Sequence, residues 1–254
     1  MRKLAALLLA LAWLGAQGQS LRVAEPSVGL AFSVVEVNRS AESSRARVLQ
    51  DMERSGTHGC VAYCAVLAKV WGALLPAIQR QQPDIASPLR LVVTTADEVD
   101  AMSFPDGTIV ISEPFIRRMG LGEEQMAFVL AHEASHVLLQ HERQTLTSML
   151  ALMPSALKRT PRDLYTELEF RYFALSDSLS VVYHQVELEA DEVGLQLAAL
   201  AGFAPDAQLR FMEQLSQRET RQTMLVMHPA AALRLQRLRD LLPLARRVFA
   251  AGAE

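Results

Sequence analysis

The segment His132-Glu133-Ala134-Ser135-His136 limits the architectures open to this chain more than any other stretch. Histidines four residues apart can offer ring nitrogens to one metal ion when the segment is an α-helix, because they then stand one above the other, each able to approach the ion to about 2.0–2.1 Å. Glu133 sits about 100° round the helix from His132, beside the ion and suited to take a proton from a water there. With six histidines and eighteen glutamates in 254 residues, such a pattern arises by chance in roughly one chain in a hundred, so it needs further ligands to carry weight.

A catalytic zinc wants three protein ligands and an open fourth position. Downstream, Glu187-Leu188-Glu189-Ala190-Asp191 puts Glu187 and Asp191 on one helical face, with Glu189 on the far side and Glu192 off the axis of the pair. Glu187 is the expected third ligand, and Asp191, one turn on, can accept a hydrogen bond from the non-metal nitrogen of His132 or His136. His184 shares the Glu187 face and competes for the same place, although a carboxylate backed by a carboxylate is the better-precedented arrangement.

The rest of the chain bounds the setting. Half of the residues are hydrophobic and 21% charged, which is globular composition, and a net charge of -3 leaves no basic excess for nucleic acid. Arg2 and Lys3 precede an uncharged run from Leu4 to Ala16, followed by Gln17 and Gly18, the pattern of a secretory signal peptide over residues 1–18. That run is too short to span a bilayer, which takes about 20 apolar residues, and no other window offers such a run. Without the leader the net charge is -5, and an exported chain meets an oxidising compartment. Cys60 and Cys64 are then either bridged near a helix start or two small buried hydrophobes.

Periodicity predicts an irregular lead-in over residues 19–38, helices over Ser40 to Glu53 and Cys60 to Gln82, and strands over Leu89 to Thr95, Ala101 to Phe104 and Thr108 to Ile111. The strands read as a small antiparallel sheet with a turn at Pro105-Asp106-Gly107. Helices follow over Gly122 to Glu142, Val181 to Leu200, Pro205 to Glu219 and Pro229 to Phe249. Arg143 to Ser180 is not legible, and its uncharged part, Gln144 to Leu157, reads either as a mobile cover or membrane-surface contact, or as an ordinary buried helix. No internal repeat or low-complexity linker divides the chain, so residues 19–254 are expected to form one mostly helical α+β domain.

Three segments in order, His132-Glu133-x-x-His136, Glu187-x-x-Ala190-Asp191-x-x-Gly194 and His228-Pro229-x-x-x-x-Arg234, resemble metallopeptidase family forty-eight over roughly Leu89 to Leu242. Asp100 to Gly107 is similar to the family's Asn-Ala-Phe-x-x-Pro-Gly-Gly segment, with Asp100 for Asn and Asp106 for Gly. The resemblance implies a zincin-like fold with an active-site helix and one zinc held by His132, His136 and Glu187. It further implies Glu133 as general base, Asp191 as orienting residue, and His228 and Arg234 facing the cleft as oxyanion donors, or His228 as a removable stopper on the metal. The function it implies is that of an exported zinc endopeptidase, in a bacterial periplasm, acting on unfolded or misfolded envelope proteins. The alternative is a protease-like chaperone or binding module with no or latent proteolysis. An extended substrate is expected to add to Thr108–Ile111 as the edge strand.

Overall fold

The computed structural model describes residues 29–83, 87–152, 159–218 and 228–252, and of 168–177 the helical backbone alone. The leader expected at residues 1–18 lies outside them.

Helix α1 (Val34–Arg54) begins where Ser33 and Glu36 close a capping box, so helix replaces the last part of the irregular lead-in expected to residue 38. After a turn, α2 (Cys64–Gln81) starts beside the Cys60–Cys64 disulfide, whose α carbons are 5.5 Å apart. Of the two readings of these cysteines, the bridge is the one realised.

Strands β1 (Arg90–Thr94), β2 (Ala101–Ser103) and β3 (Thr108–Ser112) form a sheet of order β1-β3-β2. β2 and β3 are an antiparallel hairpin, but β1 runs parallel to β3, so the sheet is mixed and not antiparallel throughout. Thr108–Ile111, expected at the edge, is the centre: all of β3 is buried. An unbroken apolar run without alternation is what a strand covered on both faces needs. The free edge beside the site belongs to β2. In the hairpin turn Gly107 adopts φ +89°, and a Cβ there would stand 2.4 Å from the Pro88 carbonyl oxygen. Asp106 accepts from the Thr108 amide and pairs with Arg90 and Arg45, and Asp100 pairs with Arg118. Both departures from the family segment are thus taken up by ion pairs.

A short helix not foreseen from sequence, α3 (Glu113–Met119), follows β3 directly, capped by the Ser112 hydroxyl on the Phe115 amide and ended by Gly120 in the left-handed region. Glu113 turns back to the start of α2, where Oε1 accepts the amides of Val61, Ala62 and Tyr63. These donors outweigh the burial that would raise its pKa and hold the carboxyl below its ordinary value.

Helix α4 (Glu123–Leu138) is buried on nearly every side. The helical run expected to Glu142 breaks after it: Gln140 takes φ +56°, the one positive φ of a non-glycine among the described residues, and α5 (His141–Leu152) sets off in a new direction. The described part of the illegible stretch proves to be α5 and the first half of α6 (Pro161–Leu200), a 40-residue helix opened by a Thr160/Asp163 capping box with Pro161 at its first position. Leu146, Met149 and Leu150 of α5 pack with Phe32, Val37, Leu164 and Leu179, so residues 144–150 are a helix with a buried face, while Ala151 and Leu152 are exposed; 153–157 lie outside the described residues. Two further helices, α7 (Pro205–Arg218) and α8 (Ala231–Gly252), close the main core around α4, with α2, the sheet and the end of α6. Each fully buried Leu, Ile or Phe there, such as Leu130, Ile111 and Phe128, contributes about 1.5–3 kcal/mol of hydrophobic stabilisation. Among the described residues no helix is long and apolar enough to cross a membrane.

Candidate metal centre

Helix α4 carries His132 and His136 on one side, with Nε2 atoms 3.1 Å apart. The second half of α6 crosses α4 closely because Gly194 lies at the contact: a Cβ there would come within 2.9 Å of the His132 nitrogen and 3.0 Å of its Cα. That approach brings Glu187, two turns earlier on α6, against the histidines. Its carboxylate oxygens are 3.5 Å from His132 Nε2 and 3.3 Å from His136 Nε2.

These three separations test whether a metal fits. Donors about 2.0–2.1 Å from a tetrahedral ion are held about 3.3 Å apart; the two imidazoles stand close to that spacing, Glu187 reaches each with a different oxygen, and one donor atom from each of the three lies within 4.8 Å of the others. Two imidazoles and a carboxylate are also the donor set zinc prefers. Glu133, Glu187 and Asp191 against the one guanidinium of Arg234 leave an excess of negative charge suited to a dication. His184, the competing ligand, is not in this cluster.

Behind the three donors, Asp191 Oδ1 lies 3.0 Å from His132 Nδ1. Arg234, from α8, grips Asp191 with two hydrogen bonds of 2.7 Å, and its third nitrogen is 3.4 Å from Glu187. Arg234 lines the second cleft, as the resemblance implies, but its guanidinium is largely buried and commits two of its nitrogens to Asp191, a bidentate pairing suited to its planar fork. Burial opposes the Asp191 charge, yet Arg234 and His132 hold the carboxyl below its ordinary value. Glu187 lies well below its own, as the neighbouring His136 and His228 overcome its burial. Burial alone would depress His136, but Glu187 raises it above the ordinary value.

His228 Nδ1 is 2.9 Å from Glu187 Oε2, and its side chain is 44% exposed at the mouth of the site. Glu133 points to the edge strand, with Oε2 accepting from the Ser103 hydroxyl at 2.9 Å. A cleft of about 290 Å³ opens between β2 and these residues and reaches His141 and Tyr183. A second, of about 380 Å³ and walled by Phe115, Phe128 and Phe211, meets it at His132 and Glu133.

Sequence reasoning passed over two participants. His141 is buried, with Nδ1 2.9 Å from His136 Nδ1, and Glu189, which helical spacing put on the far side, has Oε2 3.5 Å from His141 Nε2. Burial, only partly offset by Glu189, pushes the His141 imidazole down to about 4. On a continuous helix His141 could not meet His136; the only signal was a third histidine five residues on.

The chain is 27% identical over 141 residues to the beta-barrel assembly-enhancing protease of Escherichia coli strain K12, a match covering 52% of this chain and 29% of that protein. The protease of that name from Yersinia pestis is 25% identical over 170 residues, covering 61% and 35%. The mitochondrial metalloendopeptidase OMA1 of Schizosaccharomyces pombe is 27% identical over 150 residues, covering 57% and 44%. The chain thus spans less than half the length of these relatives. The model of peptidase family M48 matches residues 67–242, from α2 into α8, and every residue of the centre falls inside that span; the chain belongs to this family.

Proposed function

We propose that the chain is an exported, zinc-dependent endopeptidase that cuts unfolded or misfolded proteins of the bacterial cell envelope, in the periplasm. The observation that carries the reading is the convergence of one donor atom each from His132, His136 and Glu187 to within 4.8 Å of one another, with Glu133 between them and a free strand edge. The leader pattern at residues 1–18 and the similarity to a beta-barrel assembly-enhancing protease support the location and the class of substrate.

His132, His136 and Glu187 would hold the zinc. When bound, zinc supplies Lewis acidity, lowering the pKa of a water towards about 7 and polarising the scissile carbonyl. Glu133 takes the proton of the attacking water and delivers it to the departing amine, its second oxygen steadied by Ser103. His228 donates to the carbonyl oxygen as charge develops on it. The substrate lies along β2. Asp100 and Phe104 bond across to β3, and Met102 pairs with Val110 in the same register, so the backbone groups of Ala101 and Ser103 point outward and are open to a further strand.

The test is digestion of casein by the purified chain with about one zinc bound. Glu133→Gln should lower turnover by at least about a hundredfold while zinc content stays the same. Full activity in that variant overturns the assignment.

A further inference from the structure

The geometry points to His141, backed by Glu189, as the residue that orients His136 and fixes its tautomer for metal binding, which rests on the zinc reading above. His141 is only 3% exposed and its ring stands edge-on to that of His136, with centroids 4.8 Å apart. Were α4 and α5 one helix, a residue five positions on would lie about 140° round the axis and about 7.5 Å along it, out of reach of the His136 ring. The break at Gln140 is what returns His141 to the site. A non-glycine in the left-handed region costs about 1–3 kcal/mol and persists only where the surroundings impose it. Here Gln144 Nε2 donates to the Leu139 carbonyl, and Arg143 donates to Gln140 Oε1.

The proton pattern has one consistent solution. His136 turns Nε2 towards His132 and Glu187, so its remaining proton sits on Nδ1. The Nδ1 of His141, 2.9 Å away, must then accept, which places the His141 proton on Nε2, facing Glu189. Glu189 is steadied in turn by Gln185 at 2.5 Å. Both metal-binding imidazoles are therefore braced from behind, His132 by the Asp191–Arg234 ion pair and His136 by a neutral imidazole. Partners of this kind hold a ligand ring in place and raise its basicity, and their loss typically costs about 10–100-fold in metal affinity.

The experiment is zinc affinity of the full chain at neutral pH, measured by competition with a chromogenic chelator, alongside the visible spectrum of the cobalt-substituted protein. His141→Leu should weaken zinc binding about 10–100-fold and alter the cobalt bands. His141→Asn, whose Oδ1 can accept where Nδ1 did, should restore affinity to within about threefold and recover the spectrum. Unfolding of the metal-free proteins checks that each variant folds, and the more exposed Glu189→Gln, expected to weaken zinc binding severalfold, decides the matter if His141→Leu does not. Affinity unchanged in His141→Leu, or, if that variant does not fold, in Glu189→Gln, overturns the inference. So does an Asn variant as weak as the Leu one. A wild-type chain that binds no zinc overturns the metal assignment itself.

Discussion

His228 and Arg234 come from one short stretch, yet burial separates what they can do. The Arg234 side chain is 7% exposed and both of its strong hydrogen bonds go to Asp191, so its charge is already spent holding that carboxylate. Removing either partner would leave an uncompensated buried charge, a change that typically costs about 3–5 kcal/mol. The ion pair of Arg237 with Glu192, with the arginine side chain 55% exposed, contributes little by comparison. His228, nearly half exposed and against Glu187, is the donor we propose to meet a substrate oxygen. His228→Ala should lower kcat by about 10²–10³ without changing zinc content. A rise in activity would mark the ring as a stopper on the metal instead. At this scale much was legible, because the spacing of His132 and His136 is a local helical property. That Arg234 grips Asp191 was not, since a side chain's partner depends on what another helix brings to it.

At the scale of elements, β2 and the α2–α3 junction carry separate expectations. Ala101→Pro removes an outward N–H from the open edge and should reduce kcat/KM on an extended peptide by about tenfold, with metal content intact. Proline on β3, the buried centre, would break the sheet instead. Glu113 ties α3 to α2 through three amides, and its carboxyl is held below the ordinary value of 4.5. A depressed native pKa contributes stability that is fully present above the unfolded value and is lost as pH falls through the native one. Glu113→Gln should therefore cost about 1–3 kcal/mol at pH 7, with the gap to wild type closing below pH 4.5 in urea unfolding. Helix α4 was legible from its periodicity, but its end was not: nothing in the Leu139-Gln140 pair announces a turn that a glycine would normally make.

Across the whole molecule, the metal site joins α4, α6 and the stretch leading into α8, so occupancy should couple to global stability. Zinc at a hundredfold over its Kd should add about 2.7 kcal/mol, read as a rise in Tm that a chelator reverses and that Glu187→Gln largely lacks. The amino-acid sequence by itself determined the helices with clear apolar periodicity, the one-turn spacing of the histidines, and the order of the three segments that make up the candidate site. These rest on local periodicity, capping residues and side-chain type, which act within a few residues. Only the tertiary structure decided that β1 runs parallel to β3 and β2 is the open edge, that Arg234 is committed to Asp191, and that a break at Gln140 brings His141 to His136. Each of these depends on which surfaces meet across long stretches of chain, and a one-residue change of direction or register redirects every side chain beyond it.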